Sequence, residues 1–366
     1  MTVARRAALA AGVAPPEAAP TEAEERTLTK DDWKPTMKAV DDLGVQVELV
    51  GLLQGAIASG FLVRCHEKTT AAELARTTGL QRGVVDDVCD ALRSMGVLTA
   101  LEDGQLMISD LYAPLLDRGL DQRALDRLAA AGARASMFRS LFDAVPPSYW
   151  SIDSASRVAL AANATGDPET EFGREGLVAS VRADADWNDT FTRGGRFLDL
   201  GCGVAGAIVS FLHFYPRLTA VGIDIAEDVL DVARARAHAL GVADRATFLI
   251  ADAATYRDAE PFDVVFWPQT FYPESSRADA LATVFTNLRP GGLLVTVNVP
   301  PRSSRPHADD PAGAGAALDP LLRKLWGIQE RSLEALRAEL EHAGFISISA
   351  ARATPPALPL VKARRP

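Results

Sequence analysis

Residues 194–206 read Gly-Gly-Arg-Phe-Leu-Asp-Leu-Gly-Cys-Gly-Val-Ala-Gly, an apolar run that ends in a carboxylate and opens into glycines. This pattern dictates a strand, a tight turn and the start of a helix, because glycine lets the backbone turn sharply and approach a ligand closely. Asp199 stands two residues before Gly201. An acid at that point repels pyrophosphate, the anion that dinucleotide-binding turns receive at the helix start. It suits a ligand with an ammonium group and a further cationic centre. Gly201-Cys202-Gly203-Val204-Ala205-Gly206 alone fits either kind of nucleotide site, so its context has to decide.

The next apolar run, 219–223, ends in Asp224, near the offset of about 20 residues at which a strand-end carboxylate meets ribose hydroxyls. A third run, 246–250, leads into Ala251-Asp252-Ala253, where an acid can accept from an adenine amino group. A fourth, 262–267, precedes a helix and Leu288-Arg289-Pro290-Gly291-Gly292, and a fifth covers 293–299. In this order the chain resembles the class I S-adenosylmethionine-dependent methyltransferases over roughly 185–300. The resemblance implies an α/β fold, with a Rossmann-like seven-stranded domain over 181–366. It implies that Asp199, Gly201 and Gly203 cradle the methionine part of S-adenosylmethionine and that Asp224 holds the ribose. Asp252 and Ala253 would edge the adenine, with Ile225 and Trp267 completing the cofactor set.

The length of 366 residues fits two or three domains, and 48% hydrophobic residues suffice for their cores. A net charge of −10 argues against nucleic acid as a partner. No apolar stretch is long enough to span a bilayer, and the Ala-rich start lacks a signal-peptide core. Cys65, Cys89 and Cys202 form no Cys-x-x-Cys pair, which fits a reducing cytoplasm and gives no metal or disulfide framework.

Residues 1–28 are rich in Ala, Pro and Glu, the composition of a disordered tail. Over 33–61, Val40, Leu43, Val47 and Val50 recur at helical spacing, and Leu52, Leu53, Ala56 and Ile57 widen the face, so this helix should be buried on several sides. Thr70 with Glu73 can form a capping box that starts a second helix, closed by Gly79. A third, over 82–95, carries Val84, Val85, Val88, Ala91 and Leu92 on one face. Two short strands then flank Glu102-Asp103-Gly104, a hairpin signal. Helix, helix, helix, hairpin is the order of a winged helix, here over 29–118. Its would-be recognition helix sets Asp86, Asp87 and Asp90 against Arg82 and Arg93, which suits phosphates poorly. This half resembles the mainly α dimerisation domain of small-molecule O-methyltransferases. The resemblance implies a homodimer without nucleic acid or membrane partners.

Residues 119–180 read as a helical linker, and in the resembling family this segment roofs the acceptor pocket. Phe138, Phe142, Tyr149 and Trp150 are its candidates for contact with a small-molecule substrate. Residues 300–319 read as a long loop containing His307, which could swing over the pocket. Helices over 320–326 and 333–343 and strands over 345–350 and 358–361 follow, the last weakened by Pro359.

Methyl transfer is an in-line displacement that the protein mainly aligns. The resembling O-methyltransferases place a catalytic His just after the fourth strand. Here that stretch reads Trp267-Pro268-Gln269-Thr270-Phe271-Tyr272-Pro273-Glu274-Ser275 and contains none. Tyr272 and Gln269 take its place as candidates to orient or deprotonate an acceptor, joined by Tyr149, with Phe271 and His307 lining the substrate. His66, His213, His238 and His342 fall at surface or structural positions. A carbon or nitrogen nucleophile on an indole-type or other aromatic metabolite needs less base than a phenol, so these acceptors lead and the phenolic oxygen is the alternative. A winged-helix regulator that binds a metabolite and DNA is a further reading, as is a non-catalytic partner subunit.

Overall fold

A computed structural model describes residues 30–117, 119–143, 148–164, 166, 168–298, 313–350 and 360–366. The tail 1–28 and His307 lie outside them. The chain forms two compact units. One comprises the described residues through Asp117, with Phe142 and Asp143; the other comprises the rest.

The first unit begins with α1 (Lys30–Ala58), followed by α2 (Ala71–Thr78) and α3 (Arg82–Ser94). The Thr70 side chain accepts the Glu73 amide at 3.2 Å and Gly79 closes α2 in the left-handed region, as the capping pattern dictates. The Glu73 carboxylate turns to Arg76, so one limb of the box is used. On α3, Val85, Cys89 and Leu92 are buried while Val84 is exposed, a rotation from the expected face. The strands β1 (Leu98–Ala100) and β2 (Leu106–Ile108) pair antiparallel around the expected turn. The departure is α1. Its last turns bury Leu53, Ala56 and Ile57, but Trp33, Met37, Val40, Leu43 and Val47 are exposed, the last at 74%. The helix is apolar on more sides than its neighbours in the unit can cover.

The second unit opens with α4 (Leu120–Arg139), α5 (Ser154–Ala164), α6 (Glu171–Arg182) and α7 (Ala185–Arg193). Ala130, Ala133 and Met137 of α4 pack on Leu160 of α5. The sheet and its crossovers follow as β3 (Arg196–Leu200), α8 (Gly206–Phe214), β4 (Thr219–Asp224), α9 (Glu227–Ala239), β5 (Ala246–Ile250), β6 (Phe262–Trp267), α10 (Glu274–Asn287) and β7 (Leu288–Val297). Then come α11 (Gly313–Leu325), α12 (Leu333–His342), β8 (Ile346–Ala350) and β9 (Leu360–Arg364). The seven strands run in the order β5-β4-β3-β6-β7-β9-β8. The first five are parallel, and β9 is antiparallel to both β7 and β8.

Alternation along β3 explains the two cores. Phe197 joins Trp187, Phe191, Ile208 and Leu212 on one face, and Leu198 and Leu200 join Leu281, Val284, Leu336 and Leu340 on the other. The order reverses between β3 and β6, so the crevice that receives ligands in open α/β sheets opens at their carboxyl ends.

Two expectations fail locally. The fifth strand does not wait until residue 293; β7 already pairs at Leu288 with Phe262, and a register shift absorbs the extra residues. Gly292 is required there, since a Cβ would stand 2.8 Å from the Arg289 carbonyl. Residues 313–319 are helical, because α11 begins at Gly313, so the expected loop does not extend over them, and 300–312 lie outside the described residues. The final strand starts at Leu360, beyond Pro359.

Candidate active site

The carboxyl ends of β3 and β4 are tied together by backbone and carboxylate. The amides of Gly201 and Cys202 both donate to the Ile223 carbonyl at 2.9 Å. Gly201 and Gly203 have φ of +87° and +53°, the left-handed region that glycine enters freely. Ala205 also sits there at +58°, and for a residue with a Cβ this costs about 1 kcal/mol or more. Such strain persists where surrounding bonds over-determine the backbone. Asp224 supplies some of them: one carboxylate oxygen accepts the Gly203 amide at 2.9 Å and the other the Ala226 amide at 3.0 Å. Second lone pairs on both oxygens can still accept hydroxyls.

Asp199 is 4% exposed, and its Oδ1 has no partner among the described residues. Burial, with the Asp224 charge nearby, pushes its carboxyl up to about 8. Such an atom is costly unless a donor or cation meets it. An ammonium group on a ligand lying along the glycine turn would do so. Further along the sheet edge, Asp252 is exposed and accepts the Ala254 amide at 2.8 Å, Ala253 is buried, and Ile225 is exposed beside Asp224. The structure therefore brings Asp199, Gly201, Gly203, Asp224, Ile225, Asp252 and Ala253 to the same strand ends. This donor set and its bare turn fit the methionine, ribose and adenine parts of S-adenosylmethionine.

Trp267 does not belong to that set. It is fully buried beneath the sheet end, with the Arg277 guanidinium 4.7 Å from its ring centroid. Tyr272 and Gln269 also depart from the expectation that they address an acceptor. The Tyr272 hydroxyl donates to the Leu200 carbonyl at 2.8 Å, and burial with the nearby Asp224 and Asp199 charges pushes its phenol well above the usual range. It is a poor base at neutral pH. A Cβ on Gly201 would stand 3.2 Å from that hydroxyl, so the pair also explains why the turn needs glycine. Gln269 is buried, and its Nε2 donates to the Val297 carbonyl at 2.9 Å. Both side chains strap the crossover after β6 to neighbouring strand ends.

The aromatic candidates separate. Tyr149 packs with Ala162, Val204, Ala226 and Val229, directly against the glycine turn. Burial and the Asp224 carboxylate raise its phenol, so it too keeps its proton. Trp150 and Trp326 meet the Tyr149 ring edge-on at 5.4 and 5.8 Å. Arg157 fixes this group, pairing with Asp228 at 2.6 Å and lying 5.8 and 5.6 Å from the Tyr149 and Trp150 rings. Phe138 packs against the α4–α5 core, Phe271 is exposed beside the crossover, and Phe142 falls in the first unit, largely exposed. Sequence reasoning missed Trp326 and also Asn298, a buried residue just past β7 whose Oδ1 has no partner among the described residues. An Asn closing an apolar strand was the available signal. It missed Arg157, Arg236 and Arg277 as well, whose helical positions carry no motif.

Residues 191–318 match a family model described as a methyltransferase domain. Those residues carry a methyltransferase domain. The fold as a whole resembles an O-methyltransferase family protein from Burkholderia thailandensis, with a TM-score of 0.67 at 17% identity over 93% of this chain and 99% of that one. It also resembles the mitomycin 7-O-methyltransferase MmcR, with a TM-score of 0.62 at 20% identity over 92% and 100%. The structure of PigF with SAH matches at a TM-score of 0.62 and 17% identity, over 92% and 100%. In sequence, the chain is 38% identical over 85 residues to the release factor glutamine methyltransferase of Rhodospirillum rubrum, 23% of this chain and 26% of that protein. The chain thus spans about a quarter of that curated relative. Among the described residues no helix is long and apolar enough to cross a membrane.

Proposed function

We propose that the protein is an S-adenosylmethionine-dependent methyltransferase of a small aromatic metabolite. The observation that carries this reading is the buried carboxylate oxygen of Asp199, which has no partner among the described residues, beside the Gly201–Gly203 turn. S-adenosylmethionine, when bound, supplies a methyl group already activated on a sulfonium. The chain's own residues do the rest. Asp199 meets the ammonium group, Asp224 holds the ribose, Asp252 and Ala253 border the adenine, and Ile225 covers it from the solvent side. Tyr149 and its aromatic neighbours exclude water beside the turn and orient a flat acceptor. Calorimetric titration with S-adenosylhomocysteine tests this reading: micromolar binding that Asp199→Asn removes supports it, and no heat at two temperatures ends it.

For the acceptor we take an oxygen, because solved structures of the same fold include the Burkholderia thailandensis O-methyltransferase family protein and mitomycin 7-O-methyltransferase. A carbon or nitrogen acceptor is the second reading. It is favoured by the Tyr272 and Gln269 side chains, whose commitment to backbone carbonyls leaves neither as a base. Mass spectrometry of products from matched phenols, anilines and indoles separates the two.

The exposed apolar face of α1 suits a second copy of the chain, so we read the first unit as a winged-helix dimerisation module. DNA contact fits it less well, since Arg82 and Arg93 of α3 are paired with Asp86 and Asp90, each at 2.9 Å. The free thiols of Cys65, Cys89 and Cys202 suit a cytoplasmic location.

A further inference from the structure

The strained turn is held from a second side by a residue that touches no ligand in this reading. Arg236 projects from α9 and donates from Nη1 to the Val204 carbonyl at 3.2 Å. Val204 is fully buried and lies between Gly203 and Ala205, both in the left-handed region. The guanidinium is itself clamped by acids of the linker segments. Its Nε stands 2.7 Å from Glu169, just before α6, and its Nη2 stands 3.9 Å from Asp126 on α4. Its side chain is 11% exposed, so these contacts act with little screening from water.

The turn is therefore gripped at consecutive residues by opposite charges. The Asp224 carboxylate holds the Gly203 amide, and the Arg236 guanidinium holds the Val204 carbonyl. The next residue is Ala205, whose Cβ opposes the conformation it is made to adopt. We propose that Arg236 is a positioning residue of the cofactor turn: held by Glu169 and Asp126, it keeps Ala205 in its unfavourable backbone conformation and so presents the turn in the form that receives the ligand's methionine part. This rests on the cofactor reading above. Beside the packing of Tyr149 on the turn, the linker segments then act on the cofactor site through this guanidinium.

Titrating the full chain with S-adenosylhomocysteine by calorimetry tests it. Arg236→Met should weaken binding about tenfold, the effect of losing one charge-assisted hydrogen bond. Adding Ala205→Gly to Arg236→Met should recover most of that loss, because glycine adopts the left-handed region without help. A residue that merely supports the fold would not be rescued in this way. Glu169→Gln, which loosens the guanidinium without removing it, should weaken binding about threefold, with recovery again on adding Ala205→Gly. Should Arg236→Met fail to fold, the Glu169→Gln pair makes the same comparison. Wild-type affinity in Arg236→Met, or a loss that Ala205→Gly leaves in place, overturns the proposal while the cofactor reading stands. No binding by the unaltered protein removes the cofactor reading first, and this proposal with it.

Discussion

The hydroxyl of Tyr272 donates to the carbonyl of Leu200 at 2.8 Å, across 72 positions of sequence, and stands against Gly201. Tyr272→Phe removes the donor and leaves a buried carbonyl unpaired, which costs about 1–2 kcal/mol. Urea unfolding should show that loss, together with weaker S-adenosylhomocysteine binding because the strand end relaxes. An alkaline fall in activity that disappears in Tyr272→Phe would instead mean that the phenol titrates during turnover, contrary to its raised pKa.

Asp199 predicts a proton signature. Its carboxyl is pushed up to about 8, above the ordinary range of about 4. A raised carboxyl stabilises the ligand-free fold below the unfolded value, and this contribution is lost as pH rises through about 8. An ammonium ligand favours the ionised form. Binding near neutral pH should therefore release a proton, and affinity should climb as pH approaches about 8. Calorimetry in phosphate and in Tris should give apparent enthalpies that differ by the buffers' ionisation heats. Equal enthalpies would place the ligand's ammonium elsewhere.

Gly222 in β4 has no room for a methyl group. A Cβ there would stand 2.7 Å from Ile208 Cδ1 and 2.8 Å from Cys202 Sγ. Gly222→Ala should destabilise the second unit by about 1–3 kcal/mol through overpacking, and it should push Cys202 into the turn. Thermal unfolding and cofactor affinity should fall together. A neutral variant would mean that the sheet yields more easily than this packing implies.

Arg277 is 2% exposed and ties α10 to its surroundings. It donates to both oxygens of Glu339 at 2.6 and 2.8 Å and to the Gln269 carbonyl at 2.9 Å. Breaking a buried pair costs about 3–5 kcal/mol; with Arg331 left 3.4 Å from Glu339, about 2–3 kcal/mol is expected for Arg277→Ala. Denaturant midpoints of Arg277→Ala and the Arg277→Ala/Glu339→Gln double variant should converge. A double variant much worse than the single would assign Glu339 a separate role.

Leu43 and Val47 on α1 are exposed in the single chain. Sedimentation equilibrium should report a dimer that Leu43→Glu with Val47→Glu dissociates. A monomeric wild type would leave this face to another partner.

What the sequence made legible was local or periodic. The Thr70 cap, the Gly79 stop, the β1–β2 hairpin and the glycine turn each follow from a few adjacent residues. The strand-end acids followed too, because a strand end and its next residue are fixed by the apolar run. The roles of Tyr272, Gln269 and Trp267 were not legible, since the first two depend on partners far along the chain and the third on how α10 folds back over β6. Residues 313–319 show a different limit. Their glycines suggest a loop, but Leu322 packs into the α4–α5 core and carries the helix with it. On α1 the apolar spacing predicts the helix, while the single chain leaves much of its face exposed, because periodicity does not say what covers a face.

The place of β9 between β7 and β8 bears on how the protein emerges from the ribosome. Translation delivers β7 and β8 first, yet neither lies beside the other in the finished sheet. Until residues 360–364 arrive, the nascent polypeptide presents an open rim along β7 with no native strand to close it. That interval leaves an unpaired strand edge for a chaperone to shield.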